Sequence, residues 1–232
     1  MKGFILAAGF GTRLKPWTDS HPKALFPVDG KPMLGRVIEK MQAAGIADIT
    51  VNCHHFADQI IDYIGNHYPE VKVIEEEGEP LETGGALLNA RPLLDGDEPI
   101  LVHNVDILSN ADFRELEKVH HEKGGIATLL VSDRDSSRKL IFSPEMRLRG
   151  WHSLKDKTYK PADFCPSGDD REYAFSGIYI VAPEIFESMQ KNGWKGKFPI
   201  MEFFLSTLSF NNIRGYCQCE LEVRDIGKSR VS

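Results

Sequence analysis

The sequence predicts an α/β fold: a mixed, mostly parallel twisted sheet with helices on both faces. Two observations lead there. Short apolar runs alternate with segments of helical period through the first half, the pattern of βαβ units around a parallel sheet. The 232 residues, 41% hydrophobic and 27% charged, suit one domain with a single large core.

The elements follow in order. Strands are expected at 3–7, 49–53, 71–75 and 100–103, each a brief apolar run bounded by turn residues. Between them, Met33, Val37, Met41 and Ala44 recur at helical spacing and stop at Gly45, predicting a helix over 33–44. Phe56, Ile60, Ile61 and Ile64 predict a second over 56–68. Thr83 is expected to cap a third that runs through Ala90 and halts at Pro92. A polar turn after Asp106 leads to a helix over 112–123 and a strand over 127–132. From 133 to 173 charges, glycines and prolines interrupt the pattern, so hairpin-like pieces and a mobile loop are expected. Regularity resumes with a strand at 174–181, helices at 183–190 and after Pro199, and a final strand pair near 213–219 and 222–225.

Composition excludes several functions. A net charge of −6 provides no global basic field for nucleic acid or an anionic membrane. No apolar run approaches the roughly 20 residues of a membrane span, and the N-terminus lacks signal-peptide architecture, so a cytoplasmic location is expected. The cysteines, Cys53, Cys165, Cys217 and Cys219, lack zinc spacing and are expected as reduced, buried thiols, with Cys217 and Cys219 on one strand face. His54-His55 and His120-His121 lack a third ligand and read as turn and surface-helix residues.

Chemistry is expected beyond the carboxyl ends of the parallel strands, where loops leave the sheet. The first strand runs into Ala8-Gly9-Phe10-Gly11-Thr12-Arg13. Gly9 and Gly11 permit close backbone approach and expose N–H groups, Arg13 adds a fork of donors, and Lys23 adds a point charge. This is a small positive nest suited to phosphate, distinct from a Walker A loop and lacking the third glycine of the dinucleotide fingerprint. Asp106 ends a buried strand at the same edge, and Asp225 ends the last one. Two carboxylates with phosphate oxygens and water are the ordinary coordination of Mg²⁺. Glu79 with Gly84-Gly85 at a helix start is suited to a flat base, or else the glycines merely begin the helix.

Taken together, Leu6-Ala7-Ala8-Gly9-x-Gly11-Thr12-Arg13-Leu14-x-Pro16, Pro22-Lys23 and Pro27-Val28-x-Gly30-Lys31-Pro32 resemble the signature of the sugar-1-phosphate nucleotidylyltransferases. The resemblance continues through 79–86, Asp106, 175–179 and Asp225-Ile226-Gly227. Glu77 to Gly85 is similar to the N-acetylmuramate-1-phosphate uridylyltransferase branch, and mannose-1-phosphate guanylyltransferase-like enzymes share the framework.

This resemblance implies a Rossmann-like nucleotide-diphospho-sugar transferase fold, with residues 1–110 as the nucleotide half and 111–232 as the sugar-phosphate half. A nucleoside triphosphate, UTP or GTP, would contact Leu6, Ala8, Gly9, Gly11, Thr12, Arg13 and Lys23, with its base against Glu79, Gly84 and Gly85. Arg13, Lys23 and Asp106 would be catalytic, Asp106 and Asp225 would hold Mg²⁺, and the sugar would lie near Gly177. The implied partners are small molecules, and the implied assembly is a monomer or homodimer serving cell-envelope or glycan synthesis. The chain departs from the pattern at Trp17, Ala24, Val105 and Lys228. Lys155, Lys157 and Lys160-Pro161 lie where the family has a sugar-gripping Glu-Lys-Pro, without matching it. Two further readings stay open: a cytidylyltransferase acting on a non-sugar phosphate such as phosphocholine, and a regulatory nucleotide-binding module without catalysis.

Overall fold

The structure, a computed structural model, describes residues 1–227. Lys228 therefore lies outside the described residues. The strands are β1 (Lys2–Leu6), β2 (Pro27–Val28), β3 (Lys31–Pro32), β4 (Ile49–Cys53), β5 (Lys72–Glu75), β6 (Ile100–Asn104), β7 (Ile107–Ser109), β8 (Ala127–Ser132), β9 (Arg138–Phe142), β10 (Leu148–Ser153), β11 (Thr158–Lys160), β12 (Arg171–Val181), β13 (Ile213–Cys217) and β14 (Val223–Asp225). The helices are α1 (Met33–Ala43), α2 (Ala57–His67), α3 (Glu82–Asn89), α4 (Arg91–Leu94), α5 (Phe113–Lys123), α6 (Ile185–Lys191) and α7 (Ile200–Ser206).

The expected mixed α/β sheet is present. Its order is β11-β10-β9-β12-β6-β1-β4-β5, with β8 on β12 and β13 on β8. β1 pairs in parallel with β4 and β6, β4 with β5, and β8 with β13, while β12 runs antiparallel to β6, β8 and β9. β4 and β8 are buried at every residue, because helices cover both faces. Alternation divides the core: Phe4, Ile100 and Val102 pack with Ala86, Phe186 and Phe203 on one face. Ile5 and Leu101 pack with Val37, Ile60 and Leu116 on the other. Removing a fully buried ring such as Phe4 would cost about 3–5 kcal/mol.

Several elements differ from the sequence reading. Helix α3 starts at Glu82, one residue before the expected cap, and the Thr83 hydroxyl instead accepts a hydrogen bond from the Ile200 N–H at 2.9 Å. Pro92 sits in the first turn of α4, where its missing N–H costs nothing, rather than ending a helix. By contrast, Asp112 caps α5, its carboxylate accepting from the Arg114 and Glu115 N–H groups at 3.0 Å each.

The final strands do not pair with each other: β13 joins β8, and β14 joins β7, a three-residue strand hidden in the expected polar turn. The irregular 133–173 stretch contains the antiparallel run β9-β10-β11. Cys53 alone of the four thiols is buried, and β13 ends at Cys217, so Cys219 is not on its face. His120 is buried rather than at the surface, bonding the Thr128 hydroxyl at 2.9 Å, because α5 turns that side toward β8.

Candidate active site

The loop after β1 is shaped to present Lys23. Gly11 has φ +62°, and a Cβ there would lie 2.7 Å from Lys23 Cβ and 3.0 Å from Thr18 Cγ2. Only glycine combines that left-handed backbone with so close an approach. The Thr18 hydroxyl donates to the Gly11 carbonyl at 3.0 Å, which holds the loop down on the lysine. Lys23 then reaches across to form an ion pair with Asp106, both side chains largely buried.

The two candidate metal carboxylates are brought together by the β7–β14 pair. In that register Asp225 faces Ile107, the residue after Asp106, and the Ile226 N–H donates to the Asp106 carbonyl at 3.0 Å. A Cβ added to Gly227 would meet Arg13 Nη2 at 3.0 Å, Asp106 Oδ2 at 3.2 Å and Asp225 Oδ1 at 3.2 Å. Arg13 and both carboxylates thus converge on one small volume over a residue without a side chain. Both donors are hard carboxylate oxygens, a set that suits Mg²⁺. Among the described residues no group of three or more His, Cys, Asp or Glu could hold a metal ion, so a cation there would complete its shell with phosphate oxygens and water.

Two cavities meet here, sharing Thr83 and Asn104. The first, ≈ 300 Å³, is bordered by Leu6, Ala8, Gly9 and Lys23, four of the residues expected at the nucleotide, and by the expected metal carboxylate Asp106. Nothing would obstruct a Cβ at Gly9, so its backbone is open to a ligand. Arg13 borders the second cavity, ≈ 570 Å³, and sits with Thr12 and Leu14 in a short 3₁₀ turn.

The expected base platform is arranged differently. The N–H groups of Gly84 and Gly85 both donate to the Phe198 carbonyl, at 2.9 and 3.1 Å. A Cβ would lie 2.3 Å from the Phe198 ring at Gly84 and 2.2 Å from the Gly196 carbonyl oxygen at Gly85. These glycines admit the chain's own segment 196–200, and neither borders the first cavity. Glu79 is exposed and pairs with Lys197 at 3.2 Å. Pro80, Glu82 and Thr83 border the cavity instead.

Gly177, expected near the sugar, has φ +80° and stands behind Asn104, whose amide nitrogen would be 2.8 Å from a Cβ there. Neither cavity touches Gly177 directly; its lack of a side chain leaves room for Asn104, which borders both.

Sequence reasoning missed a buried network beneath the first cavity. Asn52 accepts from the Ala7 N–H at 2.6 Å and donates to Glu76 Oε1 at 2.5 Å, and Glu76 Oε2 accepts from the Leu81 N–H at 2.8 Å. These bonds tie the signature loop to the loop before α3. Asn52, an amide inside the buried strand β4, was the available signal, since a buried amide requires partners. Also missed was the wall of the second cavity, where Arg134, Arg138 and Lys139 stand with Trp151, Phe175 and Tyr179. Lys155 and Lys157 do not border it, and Lys160 lies over the Trp151 ring at 5.6 Å.

Behind β6, burial holds the His103 imidazole down to about 4, and its Nδ1–H donates to the Asn104 carbonyl at 2.8 Å. Burial likewise lowers Lys40 to about 8, its ammonium bonded to the Ser109 carbonyl at 2.5 Å. Neither group borders the two site cavities. No helix among the described residues is long and apolar enough to cross a membrane.

Known proteins resemble this chain over most of its length. The nucleotidyl transferase family model matches residues 2–230. Mannose-1-phosphate guanylyltransferase 1 of Arabidopsis thaliana is 35% identical over 197 residues, covering 82% of this chain and 52% of that protein. Mannose-1-phosphate guanyltransferase of Debaryomyces hansenii is 30% identical over 224 residues, covering 93% and 60%. The chain therefore spans little more than half the length of these curated relatives. Among solved structures, HddC from Yersinia pseudotuberculosis complexed with GMP-PN superposes with a TM-score of 0.75 at 24% identity, covering 97% of this chain and 93% of that one, which shows a shared fold. The chain belongs to the nucleotidyl transferase family, as its resemblance to the sugar-1-phosphate nucleotidylyltransferases implies.

Proposed function

We propose that the chain transfers a nucleotidyl group from a nucleoside triphosphate to a sugar 1-phosphate, releasing pyrophosphate and forming an NDP-sugar. The observation that carries this is the convergence of Arg13, Asp106 and Asp225 around Gly227, with Lys23 paired to Asp106; Lys23 and Asp106 border the first cavity and Arg13 the second. One cavity suits the triphosphate and its base; the other suits the acceptor.

The acceptor's phosphate monoester has a second pKa near ~6, so at neutral pH its oxygen is already anionic and needs no general base. The chain must instead bring two anions together and stabilise charge on the departing pyrophosphate. In this reading Lys23 would meet the α-phosphate and Arg13 the leaving phosphates, while the open backbone at Gly9 offers N–H donors. Asp106 and Asp225 would hold Mg²⁺, which when bound neutralises phosphate charge. Asn104, on the border of both cavities, is placed to orient the acceptor phosphate.

GTP is the favoured donor among the two expected, on the strength of the guanylyltransferase relatives. A cytoplasmic, small-molecule enzyme serving glycan or cell-envelope synthesis, as a monomer or homodimer, fits this reading. The test is a matrix of GTP, UTP, CTP and dTTP against hexose 1-phosphates and phosphocholine with Mg²⁺ and pyrophosphate detection. The reading expects release with at least one sugar 1-phosphate and none with phosphocholine. Triphosphate binding without release from any pair would replace it with a non-catalytic module.

A further inference from the structure

The β7–β14 pair carries the convergence of carboxylates, yet each strand has three residues, and so short a ladder is marginal by itself. It needs an anchor in the rest of the domain. Ser109 ends β7 opposite Val223, while Ile107 at the other end lies opposite Asp225. Asn110 closes the pair from within: its backbone N–H and side-chain amide bond Glu222 and Glu220, so those bonds move with it. Lys40, on α1, reaches the pair from outside. Its ammonium donates to the Ser109 carbonyl at 2.5 Å and to the Ser109 hydroxyl oxygen at 3.3 Å, and it lies 4.7 Å from the centre of the Phe113 ring at the start of α5.

Burial alone would favour an apolar residue here, since it pulls Lys40 down to about 8 and withdrawing an ammonium from water is costly. The charge is kept all the same, and both of its hydrogen bonds go to the one residue that ends β7. Arg114 offers a contrast. From α5 it bonds the Ala43 and Ala44 carbonyls at 3.2 and 3.0 Å, joining the same two helices without bonding β7. We infer that Lys40 is a positioning residue for nucleotidyl transfer: by fixing Ser109 to α1, it holds β7 and β14 in the register that sets Asp225 beside Asp106. Lys40 borders neither site cavity, so it acts through the strand pair. This rests on the proposed reaction and adds to it a residue from behind the site.

Two measurements on the full chain test this, one of them independent of catalysis. The Ile226 N–H, bonded to the Asp106 carbonyl at 3.0 Å, reports opening of the pair through hydrogen exchange. Lys40→Met keeps the apolar stem and removes the charge, and should speed that exchange by about tenfold, the value of one hydrogen bond from a charged group. Lys40→Arg should restore slow exchange, because the ≈ 220 Å³ cavity beside Lys40 leaves room for the larger head, and Arg114→Gln should leave it unchanged. In pyrophosphate release with the best substrate pair, Lys40→Met should raise the Mg²⁺ concentration for half-maximal rate by about tenfold, with KM for the triphosphate little altered. Exchange at Ile226 unchanged in Lys40→Met, or speeded equally in Arg114→Gln, overturns the inference, as does an unmoved Mg²⁺ requirement; each leaves nucleotidyl transfer standing. No pyrophosphate from the wild type with any acceptor overturns the proposed function and this inference with it.

Discussion

Gly227→Ala is the sharpest perturbation of the site that leaves every charged group in place. The added methyl would lie 3.0 Å from Arg13 Nη2 and 3.2 Å from one oxygen each of Asp106 and Asp225. Comfortable contact for carbon begins at roughly 3.5 Å, so each neighbour must retreat by some tenths of an ångström. Arg13 is long and exposed and can move freely. Asp106 cannot, because Lys23 holds it from the other side and its backbone carbonyl is bonded by the Ile226 N–H. The two carboxylates should therefore be pushed apart. A displacement of about 1 Å typically costs on the order of 10²-fold in rate, so about tenfold is expected here. Pyrophosphate release followed across a Mg²⁺ titration should show kcat reduced by that factor and a higher Mg²⁺ requirement, with thermal unfolding within a few degrees of wild type. A variant with kcat within twofold of wild type and an unchanged Mg²⁺ dependence would refute the convergence argument.

Other perturbations separate chemistry from architecture. Lys23→Ala and Asp106→Asn should each lower kcat by about 10²–10³ in the pyrophosphate assay while circular dichroism is retained. Gly85→Ala places a methyl 2.2 Å from the Gly196 carbonyl oxygen and should destabilise the fold by about 1–3 kcal/mol in urea denaturation, although this glycine touches no ligand cavity. Asn52→Leu removes a partner from both Ala7 N–H and the buried Glu76 carboxylate, and should cost about 3 kcal/mol or more on the same measurement. Burial lowers His103 and His120 from 6.5 to about 4, so the unfolded chain binds protons more readily than the folded one in that range. Stability should be fully present above about pH 6.5 and fall as pH drops toward 4, and His120→Gln should flatten that dependence.

What could be read from the sequence follows a physical division. Elements defined by their own periodicity were legible: β4, α1 and α5 match the expected ranges to within one residue at either end, because alternation and helical spacing are local properties. β7 was not, since three residues cannot display a period, and its existence depends on a partner strand more than a hundred residues away. That small pair explains why Asp225 joins Asp106, a convergence proposed on the chemistry of paired carboxylates and not on any strand pairing. Gly84 and Gly85 were read toward a ligand because tight approach of segment 196–200 leaves no trace near them in the chain. Arg134, Arg138 and Lys139 are among the charges that interrupt the pattern from 133 to 173, and only the folded wall puts them together.

The central claim is that the two joined cavities hold a triphosphate and a sugar 1-phosphate for direct transfer. Its most direct test is the stoichiometry of one reaction: pyrophosphate and NDP-sugar measured together for the wild type and Lys23→Ala, across the matrix of triphosphates and sugar phosphates. The account predicts equal amounts of both products from the wild type with at least one pair, and a loss of about 10²-fold or more in the variant. Pyrophosphate without an NDP-sugar, or equal rates in the two proteins, would contradict it.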